Sequence, residues 1–213
     1  MQKYTDIRDI LAYIWSIVCY PLFVTTYIMV IFCALFSHYM LPLPASYWLM
    51  VIGGTAFFTG VLPLTILSVM IKLGRVKNLD VTDRRERTVP YIYTLGCIAC
   101  WCAFLHMVKM PQYIFWSAVA SAVVLLIVMV ITLRWKISVH LSSMGGAVAM
   151  VLGMMMQYGI FSARVIVLLF LISWLLMLAR IRLHAHTPAQ TVAGFLLGLI
   201  VVLIPNIFFA YVH

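Results

Sequence analysis

The sequence predicts an all-α polytopic transmembrane bundle of six to seven spans, and three observations carry that prediction. Hydrophobic residues make up 66% of the 213 positions and charged residues only 9%, against about 25% charged residues in an average soluble domain. The apolar residues come in stretches of the length a bilayer demands, since a hydrocarbon core of about 30 Å takes roughly 20 residues of helix. The polar residues gather in a few connections between those stretches. No Ser/Gly-rich linker, low-complexity tract or internal repeat divides the chain, so residues 1–213 read as one integral membrane domain.

The N-terminal "MQKYTDIRD" carries acids and no small-residue cleavage pattern, and the apolar stretch after it is too long for a signal peptide. That stretch, Leu11–Phe36, therefore reads as a retained first span. Tyr47–Ile71 is the second and contains "GGTAFFTG", small residues that allow close helix approach. Pro90–Val108 and Tyr113–Leu133 are the third and fourth. Ser138–Phe161 is the fifth, with a Met-rich "MGGAVAMVLGMMM" that reads as helix packing, Gly145 and Gly146 permitting contact. Val165–Leu178 and Pro188–Tyr211 complete the set.

Counting spans from an N-terminus on side A returns three polar segments to that side. They are "KLGRVKNLDVTDRRERTVP" (72–90), "RWKISVH" (134–140) and "RIRLHAHTPAQ" (180–190). Of the fourteen Lys and Arg residues only Lys109 and Arg164 fall on side B, and the long first loop holds three of the five carboxylates. The positive-inside rule makes side A cytoplasmic, although cations kept to bind an anion produce the same bias. Compactness points to a bacterial inner membrane. Despite the net charge of +9, basic residues at membrane boundaries argue against nucleic-acid binding.

Spans three, five and seven all begin on side A, at "TVP", "ISVH" and "HTPAQ". In the last, Thr187 is a good N-cap, Pro188 sits at N1 and Gln190 at N3, which makes a capping box. A helix N-terminus offers unpaired N–H groups and about half a positive charge. Three such ends, each preceded by basic residues, suit an oxyanion with several charged oxygens.

The segments "KISVH" (136–140) and "ARIRLHAHTPAQTVAG" (179–194) resemble signatures of the type 2 phosphatidic acid phosphatase superfamily of membrane lipid phosphatases. The resemblance covers 77–194, with three signatures in the family's order. In the third, Arg180 and His186 match the family's Arg and nucleophilic His, while Gln190 stands where the family has Asp. In the second, Ser138 and His140 match Ser and His, with Ile137 and Val139 in place of Pro and Gly. In the first, Lys77 is followed after six residues by Arg84, with Arg85 instead of Pro; Arg87-Thr88-Val89-Pro90 is the rival alignment.

The resemblance implies a phosphatase that needs no metal or other cofactor and acts on a lipid-borne phosphate. Neutral His186 would attack phosphorus, His140 would protonate the leaving alkoxide, and water would release phosphate from a phosphohistidine. Lys77, Arg84 or Arg87, Ser138 and Arg180 would hold the phosphate oxygens. Gln190 can accept a hydrogen bond but cannot stabilise an imidazolium by charge. Asp80, Asp83 or Glu86 in the long loop would have to supply any carboxylate, since residues 87–213 contain none. A phosphotransferase using the same histidine, or a non-catalytic lipid-phosphate carrier, are the alternatives that this departure keeps open. Many relatives of this kind work on the outer membrane face.

The remaining polar residues have plainer readings. Lys3, Arg8, Arg75, Arg85, Arg134 and Arg182 read as snorkelling to lipid head groups and Lys136 as an interfacial anchor. His184 reads as a surface or supporting group, and His38, His106 and His213 lack partner patterns. "CIACWC" (97–102) contains a CxxC, but inside an apolar helix that spacing reflects soft packing residues rather than metal or thiol chemistry.

Overall fold

The computed structural model describes residues 6–36, 43–81 and 83–212; Lys3, His38 and His213 lie outside them. Among the described residues the secondary structure is helical, without strands. Helices α1 (Ile7–Val18) and α2 (Pro21–Phe36) are followed by one 28-residue span, Ala45–Lys72, built from α3 (Ala45–Thr55), a π-helical stretch (Ala56–Val61) and α4 (Leu62–Lys72). Then come α5 (Thr88–Met107), α6 (Gln112–Thr132), α7 (Val139–Tyr158), α8 (Ala163–Arg182) and α9 (Pro188–Val212). Among the described residues six helices are long and apolar enough to cross a membrane, or seven spans if the bent pair α1–α2 counts as one. This is an integral membrane protein.

The first span departs from its sequence reading. Leu11–Phe36 is not one helix: α1 and α2 meet at a 63° bend. Pro21 has no N–H to donate and disfavours helix at the residue before it, so the helix stops at Val18 and restarts at the proline. Asp6 caps α1 by accepting from the Arg8 amide at 3.0 Å. Residues Ile7, Leu11, Ile14 and Val18, all exposed, form one apolar stripe on α1, while Arg182 at the end of α8 binds Asp6 at 2.6 Å and Asp9 at 2.7 Å. Arg182 is thus a tether between helices.

Helix α7 is the axis of the bundle. Of its membrane window 72% is buried, against 22–39% for the five other candidate spans. Its largest interface is with α9, and small residues explain why. A Cβ at Gly145 would collide with the Phe195 carbonyl, at Gly194 with the Ser138 carbonyl and at Gly198 with the Ser142 carbonyl. Backbones therefore meet directly along this seam, as small residues permit. The outer helices turn apolar faces outward, as with exposed Leu168, Leu171, Trp174 and Leu175 of α8.

"GGTAFFTG" does more than pack. Gly54 abuts the Phe104 ring and Gly60 the Phe23 ring, and the segment widens into a π-helical turn. Such turns concentrate at functional places because they redirect side chains that a regular helix would bury elsewhere. The five cysteines are unpaired, with Cys97 buried and Cys100 exposed on the same helix, which suits packing.

Candidate phosphate-binding site

Three helix starts and one helix end converge on a cavity of about 190 Å³. Arg87 precedes α5, His140 lies in the first turn of α7, His186 precedes α9, and Arg180 belongs to the last turn of α8; all four line the cavity, with Asp80 and Tyr20. Residues as far apart along the chain as Arg87 and His186 thus meet at one end of the bundle.

Local rules position the third segment. Helix α8 ends in a Schellman turn: His184 takes a left-handed φ of 51°, its amide donates to Ile181 O at 3.0 Å, and the Ala185 amide donates to Arg180 O at 3.1 Å. The His186 amide also reaches Arg180 O, at 3.3 Å. One turn therefore sets Arg180 and His186 relative to each other, with exposed His184 as its pivot rather than a group of the site. The capping box then starts α9, the Thr187 amide donating to Gln190 Oε1 at 3.1 Å and the Gln190 amide to Thr187 Oγ1 at 3.4 Å.

Gln190 does two things at once. Its Oε1 also lies 3.2 Å from His186 Nδ1, and the Lys136 carbonyl lies 3.1 Å from the same nitrogen. Both neighbours are acceptors, the amide orientation being fixed by the Thr187 N–H. Nδ1 therefore carries the proton, and Nε2 keeps a lone pair. Burial, then the Arg180, Arg87 and Lys136 charges, hold the His186 pKa down at about 3. The ring is neutral at physiological pH, a state the sequence anticipated from cations alone; desolvation contributes more.

His140 is buried at the cavity wall, edge-on to the Tyr20 ring with centroids 5.6 Å apart. Its Nε2 has no hydrogen-bond partner within the protein. A buried unpaired ring nitrogen costs about 1–3 kcal/mol, a cost that a ligand can remove. Ser143, which donates to His140 O at 2.8 Å, shares the wall.

The cations do not all arrive. Arg87 is buried, donating from Nε to Val81 O at 2.8 Å and from a terminal nitrogen to Ile137 O at 3.4 Å. Val81 itself adopts a left-handed φ of 42°, rare for a β-branched residue, and buries its side chain against Leu67, Met70 and Val76. Arg180 is buried too, 3.6 Å from Asp80. By contrast Lys77 is exposed and pairs with Glu86 at 3.3 Å, and Arg84 donates to Leu133 O at 2.9 Å on the surface. Neither lines the cavity. The two arginines flank the short 3₁₀ turn Arg84–Glu86, and different carbonyls hold them apart: Leu133 O keeps Arg84 at the surface, while Val81 O and Ile137 O hold Arg87 inside. The rival alignment through Arg87 and Pro90 is the one whose residues reach the cavity.

Ser138 also stands apart. It is buried at the start of α7, its amide donating to Gln190 O at 3.2 Å and its carbonyl against Gly194, so it joins two helices. Its hydroxyl is sealed and outside the cavity lining, where Val139, Ser142 and Ser143 stand instead. Of the three loop acids, only Asp80 lines the cavity, and it faces Arg180 rather than His186. Lys136 contributes its carbonyl to His186, and burial with Arg87 and Arg180 nearby lowers its side-chain pKa.

Two cavity residues escaped the sequence reading. Tyr20, whose hydroxyl donates to Leu79 O at 2.8 Å, was inside what hydropathy took for an unbroken span. Pro21 beside it was the available signal. Ser143 lies one helical turn after His140, a spacing that marks a shared face.

Two cations, Arg87 and Arg180, thus line the cavity with two imidazoles, Lys136 acts on His186 from outside the lining, and Asp80 is the one acid lining the cavity among the described residues. Helix N-termini add to the same sign. Such a site favours an anion with several oxygens and leaves a neutral nitrogen nucleophile beside it. Comparison with family models, curated proteins and solved structures finds no match to this chain.

Proposed function

We propose that the protein is a membrane-embedded phosphatase for a lipid-borne phosphate, working through a phosphohistidine. The observation that carries this reading is the state of His186: neutral, with Nδ1–H held by two acceptors, in a cavity shared with Arg87, Arg180 and His140. Nε2 donates its lone pair to phosphorus as the bond from phosphorus to the alkoxide oxygen breaks. The guanidinium groups of Arg87 and Arg180 stabilise charge on the equatorial oxygens. With the phosphate dianion bound beside it, His140 takes up a proton and gives that proton to the leaving alkoxide. Water then attacks the phosphohistidine, His140 takes the water's proton, and phosphate leaves with Nε2 restored. The net change is ester plus water to alcohol plus phosphate.

The departure at Gln190 fits this scheme. In place of a charged partner, two neutral acceptors fix the tautomer, and the Lys136 carbonyl raises the ring's basicity less than burial and the neighbouring cations lower it. The test is release of inorganic phosphate by purified protein from a panel of lipid phosphates in EDTA. His186→Ala is expected to abolish release while the folded protein persists; release at the wild-type rate would remove the mechanism. Consumption of substrate only with an added alcohol acceptor would make the protein a transferase, and binding without turnover a carrier.

A further inference from the structure

The cavity does not end at the charged groups. On α5 its wall runs from Arg87 through Pro90, Thr94 and Ile98 to Trp101; on α7 it runs from His140 through Ser143 and Ala147 to Met150. Both series follow the three-to-four residue repeat of one helix face. At 1.5 Å per residue, the fourteen residues from Arg87 to Trp101 descend about 21 Å and the ten from His140 to Met150 about 15 Å. The opposite wall comes from α2 and from Thr59 of the π-helical turn. A polar mouth therefore opens into an apolar shaft inside the bundle, reaching most of the way across one bilayer core.

The floor of that shaft is rigid. Trp101 is 1% exposed and donates from Nε1 to Thr55 Oγ1 at 3.0 Å. Thr59 Oγ1 in turn donates to Thr55 O at 2.9 Å. The Trp101 indole thus locks α5 to the end of α3, where the π-helical stretch begins, deep in the membrane.

We propose that this shaft receives a hydrocarbon tail of the substrate, with Trp101 as its stop. The protein then measures that chain from the phosphate inward and selects lipid phosphates by tail length. The inference rests on the phosphatase reading for the position of the phosphate, and the continuity of cationic mouth and apolar shaft supplies the rest.

A non-hydrolysable single-chain alkyl phosphonate with a photoreactive group at its tail end tests this without turnover. Light is expected to label Ile98, Trp101 or Met150. Label confined to lipid-facing residues such as Leu126 or Val130, or no label above a control lacking the phosphonate head, overturns the proposal. In parallel, phosphate release is measured across n-alkyl phosphates of increasing length, a prenyl phosphate and a two-chain phosphatidate. Met150→Trp is expected to lower kcat/KM about tenfold or more for long chains and little for short ones, and Trp101→Phe to move the preferred length upward. Length profiles unchanged in both variants also overturn it. Failure of the phosphatase reading is separate, since it appears as release insensitive to His186→Ala while the labelling result stands alone.

Discussion

At the scale of single residues the protein is organised around one imidazole and what holds it. Folded His186 titrates at about 3, while in an unfolded chain histidine titrates near 6.5. Between those values the unfolded state binds a proton that the folded state refuses. Stability is therefore expected to fall as pH drops through that window, by up to about 1.4 kcal/mol per unit from this group, and to stop falling from it below about pH 3. Thermal midpoints in detergent from pH 7 to pH 4 check this: His186→Gln should flatten the slope. Gln190→Glu keeps the length of the side chain and adds charge beside Nδ1, so it should raise the proton affinity of His186. The acid limb of phosphate release is then expected to move up by about 1–2 pH units, read from the rate against pH; an unmoved limb would show that Gln190 acts on the cap alone. Residue chemistry in the 180–190 segment was legible because its partners are local, Thr187 with Gln190 and Arg180 with the turn. The Lys136 carbonyl on Nδ1 was not, because a main-chain acceptor fifty residues away leaves no mark in side-chain identity.

At the scale of elements, terminations matter more than lengths. The end of α8 depends on His184 at φ 51°, and a left-handed residue other than glycine costs about 1–2 kcal/mol. His184→Gly is expected to raise the thermal midpoint, with stability up by about 1 kcal/mol and phosphate release unchanged, because the side chain is outside the site. His184→Val should do the reverse and also impair release, since Arg180 and His186 hang on that turn. The α7–α9 seam predicts an opposite sensitivity. Gly198→Ala thrusts a methyl into the Ser142 carbonyl and is expected to cost about 1–3 kcal/mol, measured as a lower midpoint. The seven apolar stretches were readable from their length, since a bilayer imposes one ruler on all of them. The break at Pro21 was visible only as a single residue, and hydropathy averaged over a window erases it. The π-helical turn had a weaker trace in the "GGTAFFTG" run, whose small residues signal close approach but not the extra residue per turn.

At the scale of the whole molecule, the site and most of the cations share one end of the bundle. Which end of the membrane that is follows from charge placement. Exposed Arg75 lies in the loop after α4, at the site end, and exposed Lys109 in the turn after α5, at the other. Lys and Arg resist translocation, and the loops here are short enough for that bias to govern orientation. With Lys109 and Arg164 alone on the far side among the described Lys and Arg residues, the site end is expected to face the cytoplasm. Two single-cysteine substitutions test it in intact cells with a membrane-impermeant thiol reagent. Lys109→Cys should label from outside, and Arg75→Cys only after permeabilisation. The native cysteines lie within the bundle or against hydrocarbon, with Cys100 the exposed one, so wild-type protein supplies the background. Labelling of Arg75→Cys from outside would invert the molecule and show that its cations are held for the phosphate rather than for topology. That result would leave the cavity intact, because the anion sees the two arginines and two imidazoles whichever leaflet delivers it. Only the source of substrate would change, from lipid phosphates of the inner leaflet to those of the outer.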